Sequence, residues 1–272
     1  MVKIAVSCPN CSSEDIVKYG KSKQGLQVYR CRNKKCSRTK FQLKYKYKAC
    51  YAWTTEMIVK MAVCGSGVSD TSEVLGIHHT TVLSRLKKKQ RDVQQVNWGY
   101  LQAHRDPSKI RFYAVKVEEA EADEMWSYVE NKENVVWLWH AIDHKTGDIL
   151  AYTFGSAEDK VLEELLKLLS PFKIQKLYTD GKPAYGRKLK HKKVRYRKKK
   201  SKRKRKKLKR KRKIAHEIGK KSTQKIERVH LSLRTWVKRL ARRTICFSKS
   251  LLMHKIVIGL CINIRFWGRN LF

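Results

Sequence analysis

Acidic residues are scarce in this chain of 272 residues: 23 Asp and Glu stand against 64 Lys and Arg, a formal net charge of +41. Such an excess repels itself in any compact state, so an abundant polyanion is the natural partner, and a small acidic ligand would not require so much charge. Long hydrophobic runs are missing as well. The segment from Met1 to Cys8 has no apolar stretch long enough for a secretory signal, and Ile256 to Ile264 is too short to span a bilayer and follows His254 and Lys255. No membrane partner is therefore expected and nucleic acid leads, with a cytoplasmic, DNA-associated location. No internal repeat is present. With 42% hydrophobic and 10% aromatic residues the chain can still bury proper cores, which excludes general disorder.

What is there divides into blocks. Residues 1–48 are rich in Cys, Ser and Lys. Residues 52–92 carry short helical patterns broken by glycine. Residues 93–113 are polar and weakly periodic, which reads as a linker. Residues 114–272 begin with strand signals and continue with helices. One tract interrupts the last block: Arg187 to Lys213 holds 21 Lys or Arg in 27 positions and no acid. Like charges at that density repel, so the tract is expected to be disordered without a partner.

Eight cysteines with no secretory signal point to a reducing compartment, where thiols bind metal or are buried rather than pair. Cys8-Pro-Asn-Cys11 and Cys31 with Cys36 form two close pairs nineteen residues apart. Tetrahedral zinc needs four soft, deprotonated ligands, and a tight turn at each pair presents two sulfurs to one ion. The spacing predicts a structural zinc ribbon held by Cys8, Cys11, Cys31 and Cys36, whose folding the metal supports. Cys50, Cys64, Cys246 and Cys261 lack such spacing and read as buried small apolar residues.

In the second block, Met57, Ile58, Met61 and Ala62 lie on one helical face, Gly65-Ser-Gly67 breaks the helix, and Gly76 separates Val68–Leu75 from a third helix over about 79–90. This is a helix-turn-helix pattern. The outward face of the third helix would carry His79, Thr80, Ser84, Arg85, Lys87 and Lys88, hydroxyl and cationic groups suited to base edges and phosphates.

In the third block, Asp123 sits inside an alternating strand, a hairpin of aromatic and β-branched residues follows, then an amphipathic helix, and then a strand that delivers Asp180 before Gly181. Glu227 lies beside the apolar stripe of a later helix. Three strands, a helix, a fourth strand and later helices is the order of a ribonuclease-H-like α/β fold, in which the first and fourth strands are neighbours. Asp123, Asp180 and Glu227 can then converge. Three carboxylates at one point repel unless divalent cations neutralise them, and magnesium (or manganese) suits hard oxygen donors and phosphodiester chemistry. Glu121, Glu124, Asp143, Asp148 and Asp159 are competing acids, of which Asp143 and Asp148 flank a hairpin turn and read as structural.

Several strings carry a resemblance. Asp-Glu-Met-Trp-Ser-Tyr-Val (123–129), Thr-Asp-Gly (179–181), Thr-Gln-Lys-Ile-Glu-Arg (223–228), Leu-Arg-Thr (233–235) and Arg-Arg-Thr-Ile-Cys-Phe-Ser-Lys-Ser (242–250) resemble the insertion-sequence-one family of DDE transposases. The cysteine pattern and the helix-turn-helix resemble the same family's DNA-binding half. The resemblance implies a multidomain protein: a zinc ribbon (1–48), a helix-turn-helix domain (52–92), a linker (93–113) and a ribonuclease-H-like catalytic domain (114–272) with a basic insertion at 187–213. It implies a magnesium-dependent triad of Asp123, Asp180 and Glu227 that cuts at element ends and joins the 3′-hydroxyl to target DNA. It also implies recognition of terminal inverted repeats in double-stranded DNA, and a homo-oligomer that pairs two element ends. The 46 residues between Asp180 and Glu227 exceed the family's spacing by approximately the basic tract. The competing expectation is a non-catalytic DNA-binding regulator built on the ribbon and helix-turn-helix alone.

Overall fold

A computed structural model describes residues 5–37, 40–104, 116–189, 214–219 and 222–271. Most of the basic tract (190–213) and the later part of the expected linker (105–113) lie outside the described residues. The N-terminal strands β1 (Ile16–Lys21), β2 (Gln27–Cys31) and β3 (Lys40–Gln42) form a small antiparallel meander. Its buried centre consists of little beyond Cys8, Cys31, Cys36 and Phe41. Three helices follow: α1 (Ala52–Val63), α2 (Val68–Leu75) and α3 (His79–Lys89). Gly76 ends α2 at φ +60°, the left-handed conformation that lets the chain turn sharply into α3.

Residues 93–104 are not a linker. They contain the helix α4 (Trp98–Ala103), with Leu101 and Tyr100 buried, and Val96 bridges to Ala151 of the large sheet. The weak periodicity hid this packing because the helix is only six residues long.

The large sheet is built from β4 (Glu119–Val129), β5 (Asn131–Asp143), β6 (Ile149–Gly155), β7 (Lys176–Thr179) and β8 (Ala215–Ile218) in the order β6-β5-β4-β7-β8. Strands β4, β5 and β6 are antiparallel neighbours, while β7 runs parallel to β4 and β8 parallel to β7. A meander of three strands whose first strand then takes a parallel partner is the ribonuclease-H-like arrangement. Asp143 closes the β5–β6 turn by accepting from the Lys145 N–H and the Thr146 hydroxyl, and also accepts from Tyr100 Oη at 2.7 Å, a structural role.

Helices cover both faces of this sheet. On one side α5 (Asp159–Leu168) and α6 (Pro183–Leu189) pack over Ala120, Ala122, Trp139 and Ala141. On the other, α7 (Gln224–Trp236) and α8 (Leu251–Cys261) join α1–α3 in a continuous core with Met125, Leu138, Ile142 and Tyr152. The α1–α3 unit therefore shares its interior with the large sheet. Polar ties reinforce the seam: Lys89 Nζ donates to the Leu271 carbonyl at 2.7 Å, and the Asn263 amide donates to the Gln94 carbonyl at 2.8 Å. Gly259 permits the closest approach, since a Cβ there would meet Val93 Cγ1 at 2.5 Å and Tyr152 Oη at 2.9 Å. Of the four remaining cysteines only Cys261 is fully buried; Cys50 and Cys64 are exposed and Cys246 is partly so, contrary to the sequence reading. No helix among the described residues is long and apolar enough to cross a membrane.

Candidate functional site

Alternation along β4 places Glu121, Asp123 and Met125 on the face toward α7, and Glu124 toward α6. Ala122 of β4 is in register with Thr179 of β7. Asp123, the fifth residue of β4, therefore lies beside Asp180, the first residue past the end of β7. Ligand oxygens of Asp123, Glu124 and Asp180 all lie within 4.8 Å of one another. Glu227 stands on the exposed side of the first turn of α7, outside that close set but near enough for its charge to act on Asp123.

The electrostatics express crowding. Burial first, then the charges of Glu124, Asp180 and Glu227, push the Asp123 carboxyl up to about 7, against the help of the Glu124 N–H bonded to Asp123 Oδ1 at 2.8 Å. Burial also raises Glu124, which Lys182 and Tyr185 partly offset through an ion pair and a hydrogen bond of 3.2 Å. Lys182 further donates its backbone N–H to Asp180 Oδ1 at 3.2 Å. Hard oxygen donors, half-buried and carrying unneutralised like charge, fit a divalent cation of the magnesium class.

Two features escaped the sequence reading. His230 follows Glu227 by three residues on α7, and its Nδ1 lies 3.9 Å from Asp123 Oδ2. Beneath it is His140, the cross-strand partner of Asp123, fully buried with both ring nitrogens lacking a hydrogen bond among the described residues. Burial holds both rings neutral: His230 falls to about 4, and His140 lies well below the usual histidine range. The i, i+3 relation of Glu227 and His230 was the available signal. Glu121, a competing acid, is fully buried and structural. It accepts from the Ile226 N–H at 2.8 Å, pairs with His144 at 2.6 Å, and so pins the start of α7 to the sheet. Asp159 is likewise committed, to Arg187.

At the N-terminus all four expected sulfurs meet. Cys8 and Cys36 Sγ atoms are 3.7 Å apart, as are those of Cys11 and Cys31, and all four lie within 4.8 Å. Tetrahedral bonds of ~2.3 Å to zinc would place sulfurs ~3.8 Å apart, so the set fits the ion. Burial opposes ionisation of Cys8, but N–H groups of Asn10 and Cys11 and the neighbouring thiols outweigh it and bring its pKa down to about 7.

On α3, His79, Thr80, Ser84, Lys87 and Lys88 are exposed, and an open groove runs past Thr80, Ser84, Lys87, Lys88 and Arg91. Arg85 departs from expectation. It is half-buried and donates to the Ala49 carbonyl at 3.1 Å, tying α3 to the turn before α1.

Residues 116–215 and 205–268 match the family profile described as IS1 transposase, and residues 1–36 match the InsA N-terminal domain, a zinc ribbon. The insertion element iso-IS1n protein InsB of Shigella dysenteriae is 44% identical over 143 residues, covering 53% of this chain and 92% of that protein. The insertion element IS1 protein InsB of Shigella flexneri is 38% identical over 146 residues, covering 54% and 95%. Among solved structures, the catalytic core domain of BIV integrase aligns with a TM-score of 0.32 at 11% identity, over 54% of this chain and 83% of that one. A simian T-cell lymphotropic virus intasome in complex with PP2A regulatory subunit B56 gamma aligns with a TM-score of 0.37 at 16% identity, over 76% and 68%.

Proposed function

The chain belongs to the IS1 transposase family, and from that premise we propose that it binds the ends of an insertion element, cuts there and joins the freed 3′-hydroxyl to target DNA. The observation that carries this reading is the convergence of Asp123, inside β4, with Asp180, just past the end of β7. Asp123, Asp180 and Glu227 are the proposed holders of magnesium or manganese, with Glu124 beside them. When bound, the cations neutralise the developing phosphate charge and lower the cost of ionising the attacking oxygen.

The chain's own groups do the rest. Asp123, with a carboxyl raised to about 7, is held ready to give up its proton when positive charge arrives. Lys182 shares the negative charge of Glu124 meanwhile, and His230 fills the space behind Asp123 without adding charge. The ribbon and the exposed face of α3 are the proposed readers of the terminal inverted repeats: His79, Thr80, Ser84, Lys87 and Lys88 face the duplex, while Arg85 positions the helix. Pairing two ends in one complex requires at least two copies of the chain.

The test is strand transfer. Purified protein, a labelled duplex of the element's end and a supercoiled plasmid are incubated with magnesium, beside Asp123→Asn, Asp180→Asn and Glu227→Gln variants. Joined product from the native chain alone is the expected result, with DNA retardation retained by all three variants. Cleavage that survives loss of Glu227 would remove it from the triad. Retardation without joining, native chain included, would leave a DNA-binding regulator.

A further inference from the structure

The face of the sheet under α5 and α6 is only partly covered. Ala120, Ala122, Trp139 and Ala141 are sealed in the core. Further along the same face the covering helices end. Trp126 of β4 and its cross-strand partner Trp137 of β5 are half-buried, and beyond them Tyr128 stands opposite Val135, which is 39% exposed. The rings continue without interruption: Trp126 and Tyr128 have centroids 5.4 Å apart, and Phe247, 36% exposed, stacks on Tyr128 at 6.0 Å and 29°. At the other end, Lys182 Nζ lies 4.8 Å from the ring centres of both Trp137 and Trp139 while bonded to Glu124. An aromatic strip thus leads directly away from the carboxylates.

Exposed aromatic rings serve protein partners as well as bases, and Val135 and Ile245 are exposed aliphatics at the same surface; the charge around the strip decides between the two. Half-exposed aromatic faces bordered by cations are the composition on which unpaired bases stack, because every base has a π-face and its phosphate seeks positive charge. The borders supply that charge. Lys182 at the near end is already paired with Glu124, so the free charge comes from the far end, where the segment 241–250 carries Arg242, Arg243 and Lys249 and no acid. Tyr128 Oη fixes that segment in place by donating to the Thr244 carbonyl at 3.1 Å. A second copy of a chain bearing +41 would bring like charge to the same surface. From Glu124 to Tyr128 the strip runs ~13 Å along the strand, the length of three to four stacked nucleotides at ~3.4 Å each.

We propose that Trp126, Trp137 and Phe247 form a platform on which the unpaired bases of a DNA strand leaving the carboxylate site stack. The chain then prefers an element end with a single-stranded flank over a blunt duplex. This rests on the reading of the protein as acting on DNA, and the experiment separates the two.

The full-length chain is titrated with a labelled blunt duplex and with the same duplex carrying an oligothymidine tail. The native chain is expected to bind the tailed probe more tightly, and a Trp126→Ala/Trp137→Ala variant to lose about tenfold or more on that probe alone. Trp126→Phe, which keeps a stacking face, should retain most of the preference. A tail of 5-bromouracil irradiated on the native chain, which needs no substitution, should cross-link at Trp126, Trp137 or Phe247. Equal affinity of the native chain for both probes, an equal loss on both in the double variant, or cross-links confined to other residues would overturn the platform. A shift of the double variant from dimer to monomer with its tail preference intact would likewise overturn it, making the strip a contact between copies. Failure to bind either probe would instead break the DNA reading itself.

Discussion

The four sulfurs of the ribbon and the three carboxylates of the large sheet are both clusters of like donors, yet they meet mutual repulsion in different ways. The sulfurs come from two turns in a block whose buried centre is little more than the cysteines and Phe41. The side-chain amides of Asn10 and Asn33 donate to Cys36 and Cys11 at 3.4 and 3.6 Å, so the cluster is closed by its own surroundings. The carboxylates come from strands locked into a five-stranded sheet, and a neighbouring lysine tempers their charge. Geometry in the first cluster rests on two turns and a very small core; in the second it is set by the sheet. That difference is the one expected between a metal site that builds structure and one kept open for chemistry.

The most severe way to probe it is to strip zinc from the whole chain with a chelator and follow hydrogen exchange. Residues 5–37 should lose protection entirely, since structural zinc contributes on the order of 10–16 kcal/mol in small domains, while β4 to β8 keep theirs. Surviving protection in the ribbon would show that Val6, Tyr29 and Phe41 suffice without the ion.

Next in size is the pH response of the metal-free carboxylates. Asp123 has a folded pKa of about 7 against an ordinary 3.8. Between those values the folded chain binds the proton more tightly than the unfolded one, so this group's contribution to stability falls as pH rises, by at most ~4 kcal/mol. His230 and His254, lowered to about 4 by burial, contribute the opposite slope. The informative quantity is therefore the difference between native and Asp123→Asn chains in urea denaturation at about pH 5 and about pH 8. The variant should gain on the native chain at the higher pH, and parallel curves would mean that Asp123 is not strained.

The smallest effect is expected at Lys182. Replacing it with Met removes a cation that competes for Glu124, so manganese affinity should rise on the order of tenfold, measured by calorimetry. Unchanged affinity would place Lys182 outside the site's charge balance.

The sulfur cluster was fully legible in the sequence because its ligand spacing is local. Asp123 and Asp180 were legible because the strand order makes their strands neighbours. Glu124 was harder to place: strand alternation sends it to the opposite face from Asp123, and only the three-dimensional site shows its oxygens meeting those of Asp123 and Asp180. Arg85 looked outward by helical position, but its length lets the guanidinium reach back to Ala49. Residues 93–104 looked like a linker because a six-residue helix is shorter than the window in which periodicity shows, and the partner that buries Tyr100 and Leu101 lies far along the chain. His140 carried no signal, as a buried histidine among aromatic strand residues is indistinguishable from ordinary core.

The seam between α1–α3 and the sheet has a metrical consequence. Val93 against Gly259, Lys89 against Leu271 and Gln94 against Asn263 hold α3 at a set distance from Asp123 by packing rather than by a tether. On the function proposed above, in which α3 reads and β4 cuts, the seam is a gauge. It would set the number of base pairs between the recognised sequence and the nick, and a looser seam would leave ragged ends rather than fewer of them.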